Sequence, residues 1–282
     1  MTNQAAGLYT NGGSFTSYGT NFSSSDTGIE TDGGDILIHH TGTVTIAGGG
    51  IHTIGGSFTS WGTGFVCSST GLDTNGGNVV LNHTGAISFT DNGVQTGGGS
   101  FTSSGTDVSA GRLETGGGNA TLNHTGNVNI TEGGIETDGG DLRINSSATA
   151  SFENNGVQTN GGTILVQSNG QIHVNAGTGF TSGGSNNGGD ITLRSATGIT
   201  LDCVILTLPG TGGQLFLQGN TAAIVLNQAP ALGAGDIILY VGSLQPASIP
   251  TLSEWGMIIM SLVLMGAAVQ AIRQKTGFTP QA

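Results

Sequence analysis

Positive charge is what this chain has least of. Its 282 residues carry 5 Lys and Arg against 17 Asp and Glu, a net charge of -12. The imbalance is sharper before residue 249, where Arg112, Arg143 and Arg194 face sixteen of the acids and leave the body thirteen charges negative. Such a body repels phosphate backbones, which excludes nucleic acid as a partner. Proline is scarce at 5 residues, and the 54 glycines follow no Gly-X-Y period, so the chain is not collagen-like. Aromatic residues make up only 5%, yet hydrophobic residues reach 35%, enough to build a core. The two cysteines, Cys67 and Cys203, have none of the close spacing of a metal knuckle.

Most of the glycine falls into one phrase: Gly, aliphatic, any residue, Thr, any residue, Gly, Gly. It reads GLYTNGG at Gly7, GIETDGG at Gly28, GIHTIGG at Gly50, GLDTNGG at Gly71 and GVQTGGG at Gly93. RLETGGG at Arg112, GIETDGG at Gly134 and GVQTNGG at Gly156 continue it, at successive spacings of 21, 22, 21, 22, 19, 22 and 22. A looser copy lies near Gly179–Gly184, and Gly188-Gly189-Asp190-Ile191-Thr192-Leu193 extends the pattern.

Between these phrases apolar residues occupy every second position, as in Asp35-Ile36-Leu37-Ile38, Thr43-Val44-Thr45-Ile46 and Asn127-Val128-Asn129-Ile130. That is the period of a strand with one buried face. Short strands, glycine corners and a fixed period near 22 describe the coils of an all-β parallel β-helix. Phe15, Phe58 and Phe101 recur at spacings of 43, exposing a two-coil super-repeat. Stacking also predicts a column from the residue before each repeated Thr: Tyr9, Glu30, His52 and Asp73, then Gln95, Glu114, Glu136 and Gln158. Acids and neutral residues mostly alternate there, which relieves like-charge repulsion at strand spacing; Glu114 and Glu136 are the exception. About six coils, roughly 29 Å, separate Cys67 from Cys203, too far for a disulfide, so both are expected as small apolar core residues.

The repetitive body is assigned to residues 1–206. Residues 207–242, with Leu215-Phe216-Leu217, Ala223–Leu226 and Ile237–Val241, are expected to close its end, and 243–250 read as a linker. The Gly-Gly-Asp-aliphatic phrases resemble those of filamentous-haemagglutinin-type surface proteins, a likeness that implies a right-handed wind.

The ending differs in kind. Ile249-Pro250-Thr251-Leu252-Ser253-Glu254-Trp255-Gly256 runs into an apolar stretch and then Arg273-Gln274-Lys275. Residues 255–272 would form a helix of about 27 Å, at the short end of what spans a bilayer. Trp255 suits the headgroup layer, and Arg273 and Lys275 act as a membrane stop that puts the tail, residues 276–282, in the cytoplasm and the body outside. Residues 249–275 resemble the IPTL-CTERM protein-sorting domain of Gram-negative bacteria, whose IPTLxxWG signature is met at every specified position. The resemblance implies a temporary anchor recognised by an exosortase-type enzyme, with Ile249, Pro250, Thr251, Leu252, Trp255 and Gly256 as recognition positions. It implies export to the cell envelope or surface. Met1–Ala6 has neither a basic nor an apolar region of a signal peptide, so the reading frame is expected to continue upstream into more repeats and a signal.

Chemistry-bearing residues are few. His40, His83 and His124 share a repeat position but recur every second coil, about 9.6 Å apart, too far to share an ion, and are expected to form a polar turn ladder. The Gly-Gly-Asp turns lack the nine-residue period of calcium rolls, so solvated turn carboxylates are the preferred reading over isolated calcium sites. No grouping of acids, base and cation marks an active site, and the chain is expected to be neither an enzyme nor a cofactor protein. An ice-binding Thr-x-Thr face fails after Thr43-Val44-Thr45. Tyr18 and Trp61, 43 residues apart, point outward by alternation and are the candidate ligand contacts, because exposed aromatics can stack on sugars. The leading expectation is therefore an exported structural or adhesin-like rod. The alternative is a carbohydrate-binding or carbohydrate-acting β-helix protein held in the membrane.

Overall fold

The computed structural model describes residues 2–3, 7–25, 27–68, 70–177, 179–183, 188–202, 205–206, 213–219, 224–228 and 238–241. Residues Met1–Gln245 form one compact unit and Pro246–Ala282 another. The sorting motif, the membrane stop at Arg273 and Lys275, the expected helix 255–272 and Cys203 all lie outside the described residues. Among the described residues no helix is long and apolar enough to cross a membrane.

The body is all-β, a parallel β-solenoid. Its first full coil has three strands: Phe15–Gly19, Phe22–Ser24 and Ile29–Thr31. The next repeats them as Ile36–His40, Val44–Ile46 and Ile51–Thr53. The strands that open each coil, all of five residues except Ile238–Val241, stack into an 11-stranded sheet, here called the long face, while the remaining strands make the second and third faces of a 19-stranded sheet. Every rung is parallel and one coil apart, as in Phe15 beside Ile36 and Ile36 beside Phe58. The same stacking continues past residue 206, with Leu215–Gly219 between Ile191–Ser195 and Ile238–Val241.

Alternation sends Ile36, Ile38 and His40 inward and leaves Leu37 and His39 outside. The inward residues of all three faces form a single hydrophobic cluster running the length of the described coils. Coils in the first part of the rod fill it out of phase. Phe58, Ser60 and Gly62 are followed one coil on by Val79, Leu81 and His83, and then by Phe101, Ser103 and Gly105. A large ring in one layer therefore lies over smaller side chains in the next, the interdigitation that close packing demands. The rings also meet across faces, with Phe58–Phe65 centroids 5.9 Å and Phe65–Phe89 centroids 5.4 Å apart.

The alternating 21- and 22-residue spacings have a direct cause. In Phe-Ser-Gly coils three residues lead from the last inward position to the second face, as from Gly62 to Phe65. In His coils four residues do so, as from His83 to Ile87, and the added residue is a corner glycine such as Gly85. The 19-residue coil loses two more at the next corner: Ala110 reaches Leu113 within one strand, Val108–Glu114, where Phe89 needs five residues to reach Val94.

The repeated Thr-x-Gly-Gly phrase builds the corner before the long face. Thr31, Thr53, Thr74, Thr96 and their successors are fully buried, and each hydroxyl donates to the carbonyl of the second glycine of its own turn, as Thr74 does to Gly77. That glycine has to be a glycine. A Cβ on Gly77 would lie 2.0 Å from the carbonyl oxygen of Gly56, and one on Gly162 2.0 Å from that of Gly140.

The third-face column runs as the repeat predicts, from Tyr9 beside Glu30 to Glu136 beside Gln158. His52 pairs with Asp73 at 3.5 Å, and Arg112 pairs with Glu114 at 2.6 Å. The arginine thus offsets part of the repulsion where Glu114 stacks on Glu136. Partial burial, with Asp138 and Glu114 nearby, still raises the Glu136 carboxyl above its usual range.

Candidate functional site

Four features invite a functional reading, and their surroundings separate them. The first is the histidine series. His40, His83 and His124 are not on an outward turn, as the repeat position suggested, but inside the rod, 2–4% exposed. Parity with Ile36 and Ile38 carries His40 inward. Each Nε2 meets a serine hydroxyl of the preceding coil: Ser17, Ser60 and Ser103, at 3.0, 3.1 and 3.0 Å. Each ring also occupies space that the neighbouring Gly19, Gly62 or Gly105 leaves free. The Nδ1 atoms are buried without a partner. Burial lowers the pKa of all three, to about 4 for His83 and to about 4 for His124, where the nearby Asp107 charge opposes the fall. At His40 and His124 a backbone group, of Asn21 and of Thr106, works against the effect of burial by favouring the protonated ring.

The second group is the Gly-Gly-Asp carboxylates. Asp35 accepts the backbone N–H of Ser57, Asp141 that of Thr163 and Asp190 that of Gln214, each at 2.8 Å. Asn78 and Asn119 do the same in their coils. The side chains thus stitch one coil to the next. Among the described residues no group of three or more His, Cys, Asp or Glu could hold a metal ion. The third feature, Cys67, is buried in the core as expected, and burial pushes its thiol up to about 12, leaving it unreactive.

The fourth group is the outward side of the long face. Tyr18 and Trp61 both point outward, as alternation required, and Tyr18 is 68% exposed. The coil between them is not blank. His39 stands directly beside Tyr18 on one side and Trp61 on the other, with ring centroids 5.9 and 5.4 Å away and interplanar angles of 48° and 43°. Three stepped rings therefore occupy adjacent coils. A search at spacing 43 finds the outer two and passes over the third, because the intermediate coil belongs to the other half of the super-repeat.

Beyond Trp61 the same column becomes polar. Asn82, Ser104, Asn123 and Asn145 follow in register, then Gln167, Arg194 and Gln218. Ser104 donates to Asn82 at 2.8 Å and Asn145 to Asn123 at 2.5 Å, which aligns the side chains along the rod. Arg194 lies 5.3 Å from the centroid of the Phe216 ring. An open groove of about 580 Å³ runs beside this half of the column, between it and a corner bearing Ser147 and Asn169.

The fold defines a repetitive β-solenoid protein whose polar groups are mostly used in holding coils together. Residues 247–274 match the family model described as the IPTL-CTERM motif, which spans the expected recognition residues Ile249–Gly256 and the stop residue Arg273. That motif is a sorting signal, and the chain is accordingly an exported protein sorted to the cell envelope or surface. No curated protein and no solved structure shows significant similarity to the chain.

Proposed function

We propose that this protein is a non-enzymatic surface rod with a structural or adhesive role, delivered by an exosortase-type enzyme that reads Ile249, Pro250, Thr251, Leu252, Trp255 and Gly256. The observation that carries the proposal is the sorting motif at 247–274 joined to a regular repetitive body. In this reading residues 255–272 are a transient inner-membrane anchor with Arg273 and Lys275 on the cytoplasmic side, and the enzyme cuts near the motif. A parallel stack with a continuous core suits a stiff spacer, since each coil is fixed by two neighbours. The ladder roles of Asp35, Asp141 and Asp190 and the unreactive setting of Cys67 support a body without catalysis.

Peptide mass spectrometry of surface-extracted protein tests the sorting step. The expected C-terminal peptide ends near Pro250, with nothing recovered beyond Trp255. Peptides through Lys275 retained in the membrane fraction would overturn it, making the segment a permanent anchor.

A further inference from the structure

The acids of this protein are distributed unevenly. Despite the strongly negative body, no outward position of the long face, from Phe15–Gly19 through Leu215–Gly219, carries a carboxylate. Glu30, Asp73, Glu114 and Glu136 stand on the third face instead. The Gly-Gly-Asp carboxylates lie at the corner where the long strands begin, bonded to the next coil's backbone. Two of the body's three arginines, Arg143 and Arg194, are on the long face and exposed. The second face, with outward residues from Ser23 to Val225, is also free of acids apart from Glu153, so what sets the long face apart is that its acid-free surface also carries the stacked Tyr18, His39 and Trp61 rings and two arginines.

We infer that the long face is a lengthwise binding track for a linear polysaccharide of neutral pyranoses with sparse carboxylates. The inference deepens the adhesive reading above by naming the face and the ligand class. The Tyr18, His39 and Trp61 rings offer faces for the C–H surfaces of sugars. Their centroids step by 5.9 and 5.4 Å, close to the length of one sugar in an extended chain, so a polymer along the rod axis meets one ring per residue. Further along, the amides of Asn123, Asn145 and Gln167 present both donors and acceptors to hydroxyl pairs. Arg194 stands at the groove with no carboxylate pairing it among the described residues, free to take an occasional uronate in bidentate fashion. A densely charged polymer is disfavoured, because the whole body repels it at long range. The polymer chemistry follows from the order of the column: stacking at one end, hydroxyl recognition and one anion contact at the other.

The test is affinity electrophoresis of the chain with residues 249–282 retained, in mild detergent, through gels containing glucuronoxylan, arabinoxylan or polygalacturonate. Glucuronoxylan should retard it most, arabinoxylan less, and polygalacturonate least. Trp61→Ala should weaken retention by about tenfold, whereas Trp61→Phe keeps most of it. Arg194→Gln should abolish the preference for glucuronoxylan and leave arabinoxylan retention unchanged. Asp73→Asn, on the third face, should change neither. Retention by none of the polymers, retention strongest on polygalacturonate, or an unaltered Trp61→Ala variant with native circular dichroism would each overturn the proposal. Because the uncut chain is used, failure here leaves the sorting reading standing, and failure of sorting leaves this result intact.

Discussion

Two stretches of the same rod fill the same cross-section differently. From Phe15 to His124 the long face alternates Phe-Ser-Gly with a triplet ending in His, large over small and small over large. From Leu142 to Ser195 the inward triplet is aliphatic, aliphatic, Ser in every coil, with no alternation. The third position therefore carries an imidazole bonded to a neighbouring side chain in one stretch and a hydroxyl bonded to a backbone carbonyl in the other. Ser146 donates to Gly126 at 2.8 Å and Ser195 to Gly170 at 2.7 Å. The contrast teaches that the backbone of the coil is set by the glycine corners common to both stretches, while the interior admits more than one packing scheme.

The largest expected effect concerns what the stretches share. Gly77→Ala and Gly162→Ala should each destabilise the rod by about 4 kcal/mol or more, since the new Cβ meets backbone that cannot move aside. Urea denaturation should show both variants equally impaired. A marked inequality would mean the corner is not common to the two stretches.

Acid should separate them. A neutral buried histidine whose folded pKa is about 4, against 6.5 unfolded, adds nothing to the pH dependence above 6.5. Between 6.5 and 4 the unfolded chain takes a proton that the folded one refuses, so stability falls as pH falls, by up to about 3 kcal/mol for each of His83 and His124. Hydrogen exchange at pH 7 and pH 4.5, corrected for intrinsic rates, should show protection lost over residues 15–124 and kept over 142–195. Equal loss in both would sink the assignment.

The smallest effect distinguishes the hydroxyls. Ser60→Ala leaves the second ring nitrogen of His83 unpaired and should cost about 1–3 kcal/mol. Ser168→Ala should cost about 1 kcal/mol, because the Ala148 carbonyl that it served still accepts the N–H of Gly170. Thermal melts of the two variants should differ in that order.

How much of this could be read from residues alone varies with the kind of signal. The solenoid, the third-face column and the outward course of Tyr18 and Trp61 were legible because a strict two-residue alternation inside a fixed period determines both inside and neighbour. The sorting motif was legible for the opposite reason: it is a local string needing no fold. The burial of His40 was available from its parity with Ile36, but the adjacent Thr-Gly reads as a turn and drew the residue outward with it. His39 was hidden by the super-repeat. The acid-free face was not legible at all, since it emerges only when the outward residues of every long strand are gathered onto one surface.

The paired coils have a consequence for how such a chain can lengthen. Duplicating one 22-residue coil would set a His-bearing layer directly on another, with two imidazoles competing for the space that a glycine now leaves and one of them lacking its serine. Duplicating 43 residues preserves every neighbour relation. Across residues 15–124 the heritable unit of growth is therefore the pair, whereas among the serine coils a single turn can be gained or lost without disturbing the one above it.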